Sequence, residues 1–335
     1  MREDIGWKYL HADVFRPPQC QLLFSILVGT GVQVFYMIFF VLIFAALGFL
    51  SPASRGALMT GFVTLFMMMG FVAGYYASRM YKMFLHQEFQ LYKEPPADSL
   101  HWKKMTAGTA TLVPCSIFLI LFAMDMVLWY CNSSGAIPFT TMLIVGLLWF
   151  GVSVPLVFAG SHLGFKADVI DNPTKTNLMP RGVPSQPWYM HSVFSIAFGG
   201  MLPFGAVFIE IFYIMSSLWL NQFYYVVGFL AIIFCILGIT CAEVTIVLAY
   251  FQLCGEDYHW WWRSYMTSGS VAVYLFGYSF VYFYTQLTIG KLAPTMMYFG
   301  YMFIVSVLFF VVTGTVGFYA TFWFIRTIYA AVKID

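Results

Sequence analysis

Eight runs of mainly apolar residues fill most of this chain, near 22–50, 56–80, 105–130, 138–163, 191–219, 224–252, 265–287 and 295–325. Each has the roughly 20 residues that carry a helix across a ~30 Å hydrocarbon core. They predict an all-α fold, a polytopic integral membrane bundle of about eight transmembrane helices. Composition agrees: 61% of residues are apolar and 9% charged, against about a quarter charged in soluble domains, so there is too little polar surface to coat a globule. The expected medium is the lipid bilayer. A net charge of +2 gives no footprint for nucleic acid, which is not expected as a partner. The chain divides into an amino-terminal segment, 1–21, a membrane domain, 22–325, and a tail, 326–335. Residues 1–21 are polar and carry no cleavable signal pattern, so the first apolar run is expected to insert on its own account.

Charge sets the expected orientation. Of the 16 Lys and Arg residues, 14 fall before the first run, in 79–104, in 164–190, at Arg263 or in the tail, and only Arg55 and Lys291 fall on the other side. The positive-inside bias therefore places both termini in the cytosol, as an even number of spans requires. The 79–104 stretch reads as a basic connector, and 168–190, broken by Pro173, Pro180, Pro184 and Pro187, as an ordered loop or a docking site. Between Glu256 and Arg263 the sequence EDYHWWWR has the make-up of a headgroup-level aromatic belt.

Asp125, Glu210 and Glu243 lie within spans, where an ionised carboxylate costs at least ~2.5 kcal/mol, so each should face protein, water or a partner rather than lipid. At ~1.5 Å per residue, Asp125 comes about 8 Å and Glu210 about 14 Å from the lumenal ends of their runs, close enough in height to share a cavity. Glu243 comes about 14 Å and Gln33 about 16 Å from the cytosolic ends, which allows a Gln33 to Glu243 hydrogen bond and disfavours contact between Glu210 and Glu243. These intramembrane polar residues read either as a path for an ion or proton, as in a transporter, as a contact for another protein's helix, or as hydrogen-bonded glue between neighbouring helices. Glycines at Gly29, Gly31, Gly70, Gly74, Gly199, Gly200, Gly205, Gly314 and Gly317 suit close helix packing. Pro114, Pro155 and Pro203 should kink their helices and free carbonyls.

Catalytic chemistry finds no pattern. His162, His191 and His259 are scattered, and no HExxH, GxSxG or P-loop occurs, so neither an enzyme nor a cofactor is expected. Glu256, Asp257 and His259 could hold a metal on paper, but no metal site is expected. The six cysteines show no framework spacing and read as small packing residues. At the carboxyl end, Lys333 stands two places before the terminal Asp335, a charge and carboxylate pair that a vesicle-coat receptor can read on a short tail.

The strings DVFRPP at 13–18, LSPASRGALMT at 50–60, GYYASRMYK at 74–82, AIPF at 136–139, GGMLPFGAVFIE at 199–210 and CAEVTIVLAYFQLCGEDYHWWWRS at 241–264, with the KID ending, resemble the membrane domain of the nonaspanins, the transmembrane-nine superfamily. The likeness runs nearly end to end. It implies a protein of Golgi and endosomal membranes that helps sort and localise other transmembrane proteins, notably clients with glycine-rich spans. It also implies that Lys333 and Asp335 bind the retrograde coat. Nonaspanins usually carry a signal, a large lumenal amino-terminal domain and nine spans, so this chain matches the part that follows the first span. Asp125 lies in none of the matching strings.

Overall fold

A computed structural model describes residues 3–47, 55–92, 101–131, 133, 136–219, 226–287 and 292–332. Among them every regular element is helical. In order these are α1 (Gln21–Ala46), α2 (Arg55–Tyr92), α3 (His101–Tyr130), α4 (Phe139–Leu148), α5 (Val154–Lys166), α6 (Ser192–Trp219), α7 (Val226–Cys254), α8 (Trp260–Gly269), α9 (Val271–Gln286) and α10 (Leu292–Ala331). A single π-helical turn, Trp149–Ser153, joins α4 to α5. Seven helical runs are long and apolar enough to cross a membrane, with α4, the π turn and α5 counted as one.

Two expected spans take another form. The run at 265–287 is divided at Ser270 into α8 and α9, neither of which reaches the 18 residues of the other spans. The break is held in place because the Ser270 hydroxyl donates to the Ile196 carbonyl of α6 at 2.8 Å. The second change is in α2, which continues to Tyr92 instead of ending near 80. Its last turns carry Met80, Met83, Phe84, Gln87 and Leu91 on one buried face, a spacing that extends a helix along an apolar surface. Thus 79–92 is helix and not a loop, while 48–54 and 93–100 lie outside the described residues. At ~1.5 Å per residue the 38 residues of α2 and the 40 of α10 reach about 57 and 60 Å, well beyond a hydrocarbon core.

Helix α1 sits at the centre, packed against α2, α3, α7 and α10. Small residues let these backbones meet: a Cβ on Gly29 would lie 2.5 Å from the Ala77 Cβ, and one on Gly160 would lie 1.9 Å from the Phe71 carbonyl. The expected packing glycines are used in this way inside the bundle, except Gly205, which has nothing within 4 Å.

The projecting ends of α2 and α10 close over a cap. The amino-terminal segment forms a short 3-10 helix, Glu3–Leu10, and buries Leu10, Val14 and Phe15 against Trp260, Tyr265, Phe318 and Tyr329. Trp260 donates its indole N–H to the Val14 carbonyl at 2.7 Å, Trp262 donates to Gln19 at 2.7 Å, and the Tyr329 hydroxyl donates to Trp7 at 2.6 Å. Two of the three tryptophans expected at headgroup level are therefore core residues, Trp260 at 0% and Trp261 at 2% exposed, while Trp262 is half-buried at the edge of the same cluster. Polar chain ends could be drawn into one apolar centre because aromatic N–H and O–H groups satisfy the backbone carbonyls there. The loop 168–190 is held to the same cap, with Asn177 N–H donating to Ala12 O at 3.0 Å, Arg326 donating to Asp171 O at 2.8 Å and Gln186 donating to Gly255 O at 2.6 Å.

Candidate functional site

The periodicity of α7 decides where Glu243 points. Ile233, Leu237, Cys241, Thr245, Ala249 and Leu253 recur every four residues and are all buried, so they form the inner stripe of the helix. Ile239, Glu243, Val247 and Phe251 follow the same spacing two residues out of phase, about 200° around the axis, and all four are exposed. Glu243 therefore lies on the outer face of the bundle, between apolar neighbours one turn above and below it. It lies 11 residues before Cys254, the last residue of α7, or about 16 Å along the helix. Among the described residues it has no hydrogen-bond or ion-pair partner.

Gln33 does not meet it. That side chain is 2% exposed and donates from Nε2 to the Phe66 carbonyl at 2.8 Å, tying α1 to α2. The expected Gln33 to Glu243 bond fails because equal depth says nothing about which way two helices face. Asp125 is 3% exposed, and its Oδ1 accepts the Ile137 N–H at 2.7 Å, while its Oδ2 is enclosed without a partner among the described residues. With the Trp129 indole donating to Ile137 O at 3.0 Å, Asp125 closes the turn between α3 and α4, a structural role. Glu210 on α6 is half-buried, with Oε2 shielded and unpartnered among the described residues. Asp125, committed to that turn, does not share a site with it. Clefts of about 550, 400 and 350 Å³ are lined by other residues than these carboxylates. Lys333 and Asp335 lie outside the described residues.

At the cap, Asp257 gathers the polar groups of the 255–263 turn. It accepts from His259 Nδ1 at 2.9 Å, from the His259 N–H at 3.0 Å and from Gln252 at 2.9 Å, with Arg263 Nη1 at 3.4 Å. Burial pushes its carboxyl up, but the hydrogen bonds from His259 and Gln252 outweigh that and hold it below the usual carboxylate value. Glu256 pairs with Arg181 at 2.7 Å. Among the described residues no three His, Cys, Asp or Glu side chains are placed to hold a metal ion.

One functional contact had no signal in the sequence. Pro114 cannot donate to the carbonyl of Ala110, four residues earlier in α3, and the Trp149 indole N–H, from the π turn, donates to that carbonyl at 3.2 Å. Pro114 marks which carbonyl is freed, but nothing in local spacing indicates that a residue 39 positions away supplies the missing donor.

Comparison with known proteins places these features. Residues 1–292 match the family model Endomembrane protein 70. Over 334 residues the chain is 56% identical to Transmembrane 9 superfamily member 9 of Arabidopsis thaliana, covering 100% of this chain and 50% of that protein. It is 47% identical over 333 residues to Transmembrane 9 superfamily member 4 of Homo sapiens, covering 99% of this chain and 50% of that one. The chain thus spans about half the length of the relatives it matches. No solved structure matches it significantly.

Proposed function

The chain belongs to the Endomembrane protein 70 family, the transmembrane 9 superfamily, and from that premise we propose that it assists the sorting of other membrane proteins by holding their transmembrane segments against the outer face of α7. It is a multispanning endomembrane protein. The observation that carries the reading is Glu243, a carboxyl group exposed between Ile239 and Val247 with no partner of its own among the described residues. Left in lipid, such a group costs at least ~2.5 kcal/mol ionised. A second helix lowers that cost when it comes near enough for a hydroxyl to donate to the carboxylate, or for a backbone carbonyl to accept from the protonated acid, and glycine and other small residues allow that approach. This favours clients with glycine-rich spans. Glu210, half-buried on neighbouring α6, is a second candidate contact. A transporter path is less well supported, since three clefts among the described residues bypass both carboxylates.

On this reading both termini face the cytosol, where 14 of the 16 Lys and Arg residues would lie, and Lys333 with Asp335 engages a vesicle coat that keeps the protein in Golgi and endosomal membranes. The test is co-precipitation of a single-span client with a glycine-rich segment. Glu243→Leu should weaken capture about 3- to 20-fold, the equivalent of one interhelical hydrogen bond of ~0.6 to 1.7 kcal/mol, and Glu243→Gln should weaken it less. Undiminished capture by Glu243→Leu removes the residue from the mechanism. Replacing Lys333 and Asp335 by Ala should move the protein out of the Golgi, and an unchanged distribution refutes the coat contact.

A further inference from the structure

Between α2 and α10, over the middle of α1, lies a cleft of about 350 Å³ lined by Val32, Phe35 and Tyr36 from α1, Tyr76 from α2, and Val316 and Tyr319 from α10. Val32, Phe35 and Val316 supply apolar wall, and Thr315 and three tyrosines supply hydroxyls: Tyr76 meets Tyr36, and the Tyr76 and Tyr319 rings pack edge-on at 6.3 Å. Buried tyrosines seek a partner for their O–H groups. One turn beyond Tyr76 stands Arg79, whose charge acts on both Tyr76 and Tyr319.

Arg79 is the cation here with donors to spare. A guanidinium offers five N–H groups, yet among the described residues Arg79 makes one hydrogen bond, from Nη2 to the Asp168 carbonyl at 3.3 Å, and its Nε is enclosed with no partner, while its guanidinium carbon lies over the Tyr75 ring at 5.8 Å. No carboxylate pairs with it among those residues. Its neighbours are spent: Lys82 donates to Phe165 O at 2.8 Å and Ala167 O at 2.7 Å, and Arg326 donates to Asp171 O at 2.8 Å. The contact with Asp168 places Arg79 beside the start of the 168–190 loop, where the bundle meets the cap.

We propose that this cleft binds an anionic phospholipid, with the phosphate on Arg79 and the hydroxyls of Tyr76 and Tyr319, and an acyl chain running along Val32, Phe35 and Val316. Planar guanidinium donors suit phosphate. The volume lies at the low end of the ~300 to 1,000 Å³ typical of small-ligand sites, which fits one chain and not a whole lipid. An anion alone would leave the apolar wall uncovered, and an uncharged lipid would leave Arg79 without an anion, its contacts being the Asp168 carbonyl and the Tyr75 ring.

The test uses the full chain in vesicles of phosphatidylcholine with and without phosphatidate, extracted in mild detergent and weighed by native mass spectrometry. The wild type should retain phosphatidate in preference to phosphatidylcholine. Arg79→Gln should lower that retention about tenfold or more, and Val316→Trp, which fills the cleft, should lower it with Arg79 intact. Equal retention of both lipids, full retention by Arg79→Gln, or displacement of the lipid by glycerol 3-phosphate would overturn the proposal. Should a variant fail to fold, a photoactivatable phosphatidate on the wild type decides: adducts on the peptides of Tyr76 and Tyr319 support the site, and adducts only elsewhere refute it.

Discussion

Replacing Trp149 by Phe removes one N–H from the bundle and keeps most of the ring, which stacks on Phe118 at 6.5 Å between centroids. The lost group is the donor to the Ala110 carbonyl, 3.2 Å away, which Pro114 leaves without its usual helical partner. Inside a bilayer, interhelical hydrogen bonds contribute on average ~0.6 and at most ~1.7 kcal/mol. Trp149→Phe should therefore destabilise the protein by about 1 kcal/mol, part of it from lost ring area. A double-mutant cycle separates the two contributions. In a Pro114→Ala background the backbone N–H gained at that position can donate to Ala110 O within α3, so Trp149→Phe should then cost only a few tenths of a kcal/mol, leaving a coupling of at least ~0.5 kcal/mol. Reversible unfolding in lipid bicelles, read by steric trapping, gives all four free energies. Equal cost of Trp149→Phe in both backgrounds would refute the claim that the indole replaces the bond that proline removed.

Close helix contact and cap electrostatics give further tests. Gly160→Ala would set a Cβ 1.9 Å from the Phe71 carbonyl, and Gly74→Ala one 2.1 Å from the Val157 carbonyl; both partners are backbone, so α2 and α5 must separate, at a cost of roughly 1 to 3 kcal/mol. Gly205→Ala, which meets nothing within 4 Å, should cost nothing in the same unfolding assay. For Asp257, the folded carboxyl titrates below its ordinary value, so its stabilisation is complete above about pH 4 and is lost as pH falls through the lower folded value. Protection of the 255–263 amides against hydrogen exchange, relative to their intrinsic rates, should therefore fall on acidification only below about pH 4, and Asp257→Asn should abolish that dependence.

Apolar run length revealed the helical class and the approximate number of spans, because hydrocarbon thickness fixes how many residues a crossing needs. It did not reveal where α2 ends: Met80, Met83 and Phe84 carry the helix on along a face that packs against Phe24 and Trp261, the second of them far away in sequence. The Trp260–Trp262 cluster misled for a related reason. Its composition is that of an interfacial belt, and only the docking of Val14 and Gln19 carbonyls on Trp260 and Trp262 turns it inward. At the site, depth was legible and direction was not. Gln33 and Glu243 were at matching heights, yet one faces α2 and the other faces away from the bundle. The four-residue repeat of Ile233, Leu237, Cys241 and Thr245 was present all along, but an apolar residue on either face of a membrane helix looks the same until its neighbours are placed.

Contact between the outer face of α7 and another helix at Glu243 is the central claim, and site-specific photocrosslinking tests it most directly. A photoreactive residue at Val247, one turn from Glu243 and 50% exposed, should yield an adduct with a co-expressed glycine-rich span, and the adduct should fall when Glu243 is replaced by Leu. The same probe at Ala249, 4% exposed on the opposite stripe, should yield none. Adducts from Val247 with lipid alone, or an equal yield with an all-leucine span, would contradict that contact.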